Sequence, residues 1–232
     1  MEKPSPLKGW EAERIEPRRI LIADDHPLFR EALKQALGGV LTATRFDEAG
    51  NLDETIVRLE SSDAVDLVLL DLKMPGAQGL SGLIYLRAQY PILPVAVVSA
   101  NDDPHVIHRA VDLGAAGFIP KSTPIETIRM ALDSIMRGEV WIPDAAHVAT
   151  PGDEEADRVA HRIATLTPQQ LRVLMMLREG LLNKQIAFAL DVSEATIKAH
   201  VSAILLKLDV DSRTQAVIAA SRIDGDPTAA LA

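Results

Sequence analysis

From residue 19 onward the chain alternates short, almost wholly apolar runs with stretches whose apolar residues recur every three or four positions. That alternation is how βα units of a parallel sheet appear in sequence, because parallel strands are buried on both faces and the connecting helices on one. Five runs stand out: 19–23 (RILIA), 41–45 (LTATR), 66–70 (DLVLL), 94–99 (PVAVVS) and 117–120 (GFIP). Between and after them the pattern predicts helices over 28–37, 48–59, 79–90, 104–113 and 124–137. The fold class implied is α/β, a doubly wound five-stranded parallel sheet.

The pattern then changes. Residues 144–164 are charged and Ala-rich, broken by Pro151 and Gly152, and read as linker. Thr167-Pro168-Gln169-Gln170 combines a capping Thr, a Pro at the first helical position and a Gln three residues after the cap. Four helices follow, over 168–179, 183–190, 194–208 and 213–222, forming a small all-α domain. The resulting division is a leader at 1–18, read as mobile from its prolines and charges, a domain at 19–140 and a linker at 141–164. A second domain at 165–223 and a tail at 224–232 complete it.

A hydrophobic content of 47% with 25% charged residues suits a soluble globular protein, while only 3% aromatics means cores built from Leu, Ile, Val and Ala. The absence of cysteine excludes disulfides, thiol catalysis and thiolate metal sites. No apolar run reaches the roughly 20 residues that span a bilayer, and the first residues lack a secretion signal's apolar block. A cytoplasmic protein without membrane contact is expected. The net charge of −9 argues against nucleic acid until it is divided along the chain. Residues 163–223 hold seven basic and five acidic side chains, leaving 17 and 28 elsewhere, so one stretch carries +2 and the remainder −11. Phosphate attraction follows the local field, so the second domain stays open to DNA.

In doubly wound folds the carboxyl ends of the strands form the ligand crevice. Here Asp24 and Asp25 follow the first strand, Asp71 the third, Ser99 closes the fourth and Lys121 the fifth. Three carboxylates at one edge repel unless a cation sits among them, and hard oxygen ligands with room for water suit Mg2+. A carboxylate can also attack phosphorus to give an acyl phosphate, a transfer needing little beyond alignment and positive charge. A single Asp after a strand is more often a turn or helix cap; the joint pattern carries the reading.

The segments IADDHP (22–27), LLDLKMPG (69–76), VVSA (97–100) and FIPKS (118–122) resemble the signature of response-regulator receivers, over roughly 18–140. The resemblance implies a flavodoxin-like receiver with Asp71 as phosphoacceptor. Mg2+ would be held by Asp24, Asp25, Asp71 and the backbone carbonyl of Lys73, and Lys121 would pair with the phosphoryl group. Ser99 stands at the hydroxyl position of the switch. At the partner switch position, often Tyr in the family, Phe118 would rotate inward after phosphorylation but lacks a hydroxyl to bond.

In the second domain two helices flank the short turn Asp191-Val192-Ser193. Along the later helix Ile197, Val201, Ile204, Leu205 and Leu208 recur at core spacing, leaving Lys198, Ala199 and Ser202 on the opposite side. That small, mildly basic face suits a major groove, although on charge alone an ordinary surface helix fits better. LTPQQLRVL (166–174), EGLLNKQIA (179–187), SEATIKAHVSAIL (193–205) and KLDVDSRTQAV (207–217) resemble the LuxR-type helix-turn-helix of NarL/FixJ regulators. By that resemblance 194–208 is the recognition helix, with Lys198, Ala199 and Ser202 nearest the bases. Lys184, Thr196 and Lys207 are implied phosphate contacts, and Val217 and Ala220 mark a dimer surface. Three departures stand out: Leu182 where Ser or Thr usually caps a helix, Leu206 where a basic residue is common, and Asp209 where Gly usually ends the recognition helix.

The expected protein is a phosphorylation-controlled transcription regulator that turns over no separate substrate. Its expected partners are a sensor histidine kinase, double-stranded DNA, RNA polymerase and a second copy of itself when phosphorylated or DNA-bound. Two rivals are weighed against it. An Asp-nucleophile phosphohydrolase of haloacid-dehalogenase type places D-x-D after its first strand, where this chain has adjacent Asp24-Asp25. A receiver that is never phosphorylated and serves only as a dimer module is the other. His105 and His108 share a helix face but show no third zinc ligand.

Overall fold

A computed structural model of the chain describes residues 18–38, 44–61, 64–147 and 154–222. All of the expected leader but Arg18, and the whole 224–232 tail, lie outside them. In chain order the first domain contains β1 (Arg18–Ala23), α1 (Pro27–Gly38), β2 (Thr44–Ala49), α2 (Leu52–Glu60) and β3 (Leu67–Leu70). A short antiparallel ribbon of β4 (Lys73–Met74) and β5 (Ala77–Gln78) follows. The domain closes with α3 (Ser81–Gln89), β6 (Val95–Ser99), α4 (Pro104–Asp112), β7 (Gly117–Pro120) and α5 (Ile125–Met136).

The sheet order is β2-β1-β3-β6-β7 and every neighbouring pair is parallel. Side chains alternate across it with the strand period of two. Ile20, Ile22, Leu67, Leu69, Ala96, Val98 and Ile119 bury one face together with Leu33 and Leu37 of α1 and Ile128, Leu132 and Ile135 of α5. Leu21, Ala23, Val68, Leu70, Val95, Val97 and Phe118 bury the other, in the cluster that includes α2, α3 and α4. Gly117 is where β7 passes closest to the chain behind it. A Cβ there would lie 2.7 Å from Ile135 Cδ1 and 2.9 Å from the Trp141 carbonyl oxygen.

Two elements differ from the expected ranges. β2 runs over 44–49 instead of 41–45, of which 41–43 fall outside the described residues. The helix expected from 48 begins at Leu52, because β2 stays in register with β1 through Ala49 and Asn51 caps α2, its side chain accepting from the Glu54 amide at 2.8 Å. The stretch read as linker holds a 3-10 turn (Asp144–His147) and a helix, α6 (Glu154–Ala164). Ala156, Val159, Ala160 and Ile163 form a buried stripe on α6 at the helical period. Its other face is charged, and that charge dominates the local composition.

The remaining helices are α7 (Pro168–Arg178), α8 (Asn183–Ala189), α9 (Glu194–Leu208) and α10 (Arg213–Arg222), and α6 packs on α9 and α10. The capping box at Thr167 and Gln170 forms as the sequence predicts. Ser193 caps α9 by accepting from the Thr196 amide at 3.1 Å. Asp209 ends α9 in the left-handed conformation, φ 58°, a position that costs a residue with a Cβ about 1 kcal/mol or more. Its carboxylate receives Arg162 at 3.1 Å.

At the start of α8, Leu182 has no side-chain acceptor to offer, and only the reverse bond forms, from its own amide to Gln185 Oε1 at 2.7 Å. Asn183 does not take over the cap, its Oδ1 facing Arg213 at 3.5 Å. Leu182→Ser is therefore expected to stabilise the C-terminal domain by about 1 kcal/mol. Urea denaturation of the two proteins measures it, and an unchanged or lower midpoint contradicts the reading.

Candidate functional site: an acidic rim and a helix-turn-helix

The acidic rim is assembled by strand ends. The Asp24 amide donates to the Ala49 carbonyl of β2 at 3.0 Å, and the Asp71 amide to Ala23 of β1 at 2.8 Å, so both acids are tied to the strand beside them. The Lys121 amide donates to the Ser99 carbonyl at 2.7 Å, which sets β6 and β7 in the same relation. Asp24, Asp71 and Ser99 are buried, while Asp25 stands half out of the rim. The ammonium of Lys121 lies 2.7 Å from Asp24 Oδ2 and 2.9 Å from Asp71 Oδ2. Burial pulls the Lys121 pKa down, but its bonds to Asp24 and Asp71 outweigh that and hold it above the ordinary lysine value. The side chain is thus a fixed positive charge at any physiological pH. Phe29 of α1 covers it, with Nζ 4.8 Å from the ring centroid, a cation–π contact.

Oxygens of Asp24, Asp25 and Asp71 and a ring nitrogen of His26 all lie within 4.8 Å of one another. Asp24 Oδ2 is buried and has the Lys121 ammonium as its partner at 2.7 Å. A donor set of three carboxylates around such an oxygen fits a hard divalent cation. Lys73, the implied carbonyl ligand, opens β4 and pairs with Gln78. His26 was not among the expected ligands, although its place directly after Asp24-Asp25 was the available signal. His105 and His108 join no group of three or more metal-capable side chains among the described residues.

Ser99 Oγ accepts from the Asn101 amide at 3.1 Å, anchoring the loop that leads into α4. Phe118, the residue expected to turn inward upon phosphorylation, is fully buried on the α4 side of the sheet in this structure. A ring without a hydroxyl gains nothing from the solvent edge, and burying it contributes roughly 2 to 3 kcal/mol.

The second domain presents α9 outward. Lys198, Ala199 and Ser202 are exposed, as is Lys184 on α8, and Thr196 is half-buried at the helix start, bonded to Ser193 Oγ at 2.8 Å. Lys198 also pairs with Glu194 at 3.2 Å. Lys207 does not have the free ammonium expected of a phosphate contact. It donates to the Thr165 carbonyl at 2.8 Å and to Gln170 Oε1 at 3.0 Å, fastening the end of α9 to the start of α7. Of the expected dimer residues, Val217 is half-buried, but Ala220 is only 1% exposed and belongs to the chain's own core beneath α6, α7 and α9. Phe188 and Leu206 stand almost fully in solvent, at 90% and 84%.

The two domains touch along two seams. At the first, α7 packs on α3. Arg172 pairs with Asp53 at 2.6 Å, Arg178 donates to the Gln78 carbonyl at 2.9 Å, and the Gly76 amide donates to Glu179 Oε1 at 3.1 Å. Gly76 makes that turn at φ +78°, and a cleft of about 460 Å³ runs beside it. At the second seam Arg109 of α4, itself buried, pairs with Asp157 of α6 at 3.0 Å. Arg162 of the same helix donates to the Leu208 carbonyl at the end of α9 at 2.9 Å.

Residues 20–133 match the response regulator receiver domain, and residues 164–220 match the luxR family of bacterial regulatory proteins. The chain is a NarL/FixJ-type response regulator. It is 42% identical over 212 residues to the glycerol metabolism activator of Pseudomonas putida, covering 89% of this chain and 96% of that one. To the nitrate/nitrite response regulator protein NarL of Escherichia coli K12 it is 34% identical over 205 residues, covering 88% and 94%. Its fold is similar to that of Salmonella enterica RcsB bound to the promoter P1flhDC with phosphomimetic BeF3-, at TM-score 0.54 and 24% identity, over 89% of this chain and 99% of that one. The regulator is thus a phosphorylation-controlled DNA-binding transcription factor, whose receiver implies a kinase partner. Among its described residues no helix is long and apolar enough to cross a membrane.

Lys121→Met removes the ammonium held between two buried acids in this rim. Breaking a buried pair of this kind costs on the order of 3 kcal/mol. The variant receiver is expected to unfold at correspondingly lower urea concentration, and equal stability would show that the two ion pairs hold nothing together.

Proposed function

We propose that Asp71 accepts a phosphoryl group from a phosphohistidine of a sensor kinase and that the resulting acyl phosphate raises the affinity of 194–208 for duplex DNA. The observation that carries this reading is the Lys121 ammonium bridging Asp24 and Asp71 at the mouth of the sheet. Asp71 Oδ attacks phosphorus, the P–N bond to the kinase histidine breaks, and the O–P bond forms. Lys121 then stays beside the transferred group, whose equatorial oxygens need positive charge. Mg2+, which Asp24, Asp25 and Asp71 with the Lys73 carbonyl would hold, would supply further positive charge for that transfer and for later hydrolysis. The regulator catalyses only its own phosphorylation and dephosphorylation. The never-phosphorylated rival has no use for a buried acid held beside a fixed ammonium.

Output follows from the seams. The phosphoacceptor loop is gripped directly by Arg178 and Glu179, and the loop after Ser99 leads into α4, whose Arg109 reaches α6. A phosphoryl group on Asp71 perturbs both, so the DNA-binding domain is released from the receiver and two copies engage paired half-sites. Lys184, Lys198, Ala199 and Ser202 form the DNA face, with Thr196 at its edge. Likeness to a protein named as an activator supports activation, with RNA polymerase as a further partner, in the cytoplasm.

Acetyl phosphate with magnesium is expected to add one phosphoryl group by intact mass, and none to Asp71→Ala. It is also expected to tighten binding to selected genomic fragments, with affinity falling steeply as salt rises. Mass gain without tighter binding would sink the output half; no mass gain would sink the whole. Glu179→Ala together with Arg172→Ala is expected to raise DNA affinity several-fold without phosphodonor, as measured by fluorescence anisotropy. Unchanged basal affinity would show that the first seam does not restrain the domain.

A further inference from the structure

Resting on α9 as the helix that meets duplex DNA, we propose that the operator half-site is read chiefly through thymine methyl groups, seated on Ala195, Ala199 and Leu206. A helix turns by about 100° per residue, so positions 195, 199, 202 and 206 fall on one line, within about 60° of arc. That line lies opposite the buried Ile197, Ile204 and Leu208, and Ala195, Ala199, Ser202 and Leu206 are all exposed. It is therefore the edge of α9 that enters a groove deepest, and none of its four residues is charged. Leu206, at 84% exposure, offers most of its apolar surface to whatever docks there.

The polar groups on this line and beside it do little hydrogen-bond reading. Ser202 Oγ donates to the Lys198 carbonyl at 3.0 Å, which spends its one proton and leaves only lone pairs outward. Thr196, on one flank, is bonded to Ser193 Oγ at 2.8 Å. Lys198, on the other, pairs with Glu194 at 3.2 Å, an exposed pair weak enough to yield its ammonium to a phosphate or to one base. In the major groove thymine is the base that presents a methyl group, and an apolar side chain is its matching contact. The other bases present donors and acceptors there, which this line would leave unsatisfied. From Ala195 to Leu206 the helix rises about 16 Å, the length of four or five base-pair steps. The half-site that fits is rich in thymine, on either strand, along that length.

Half-sites are selected from random duplex DNA with the full-length protein, acetyl phosphate and magnesium, and binding is followed by fluorescence anisotropy. The selected duplex is remade with deoxyuridine for single thymines, which removes one methyl and keeps every hydrogen bond, and with 7-deazaguanine for single guanines. Uracil is expected to weaken binding about three- to fivefold at two or more positions, the value of one buried methyl group. Ala199→Gly and Leu206→Ala, each checked for folding by circular dichroism, are each expected to weaken binding to the thymine duplex and to abolish the uracil penalty at one position. A half-site without thymine, uracil neutral throughout, or a larger loss with 7-deazaguanine than with uracil overturns the proposal. A uracil penalty retained in full by either variant overturns the assignment of that residue. If the protein binds no duplex, or selects no sequence, the reading of α9 as the DNA face fails instead.

Discussion

Two carboxylates buried side by side at the mouth of a parallel sheet cannot stand without a counter-charge, and Lys121 is the protein's own answer to that constraint. Much of the receiver follows from it. Asp24 and Asp71 are held apart from water because β1 and β3 are neighbours at the point where the strand order reverses, with Lys121 arriving from the far side on β7. The pairing also explains why α1 carries Phe29 at the rim, since a ring face is one of few groups that can cover an ammonium without taking its hydrogen bonds. Function enters through the same instability. A phosphoryl group on Asp71 changes the charge that Lys121 must balance, and every contact built on the old balance is subject to change.

The receiver was legible in sequence for two physical reasons. Strands buried on both faces leave uninterrupted apolar runs, and polar groups placed just after such runs have few structural reasons to be acidic together. β3, β6 and β7 were located to within a residue on this basis. β2 was not, because TRFDEA sits at the sheet edge with most of its residues only partly buried, and its pattern is correspondingly mixed. α6 was missed for the opposite reason: half of its buried stripe is alanine, and the stripe is outnumbered by charges. Side-chain partners were less legible still. Nothing in the local sequence says that the Lys207 ammonium turns inward to Thr165 and Gln170, since these lie 42 and 37 residues earlier in the chain. Ala220 looked like surface only until α6 was in place.

α6 changes how the two halves must be regarded. It is charged on one side and apolar on the other, and it touches α3 and α4 of the receiver as well as α9 and α10 beyond it. Arg109 is buried and its pair with Asp157 is half-covered, so this contact is less open to solvent than the pairs of the first seam. Arg172 with Asp53 is a surface ion pair, worth at most about 1 kcal/mol and weakened by salt. The ion pair of the first seam is therefore the one more easily weakened by salt.

Charge then decides what opening is for. The helix-turn-helix domain carries little net positive charge beside a strongly acidic remainder, with Leu206 where a basic residue is common and the Lys207 ammonium engaged within its own domain. Every phosphate contact missing from one domain removes part of the counterion-release term that dominates nucleic-acid affinity. A receiver lying against the domain brings its acids toward the same duplex and adds repulsion within a Debye length, about 10 Å at moderate salt. On the proposed release, separating the two would raise affinity twice over, by removing that repulsion and by letting a second copy share the site, where the second binding event becomes intramolecular. A fully basic domain would bind whether or not Asp71 were modified. The modest basicity of this one is what leaves the decision to the receiver.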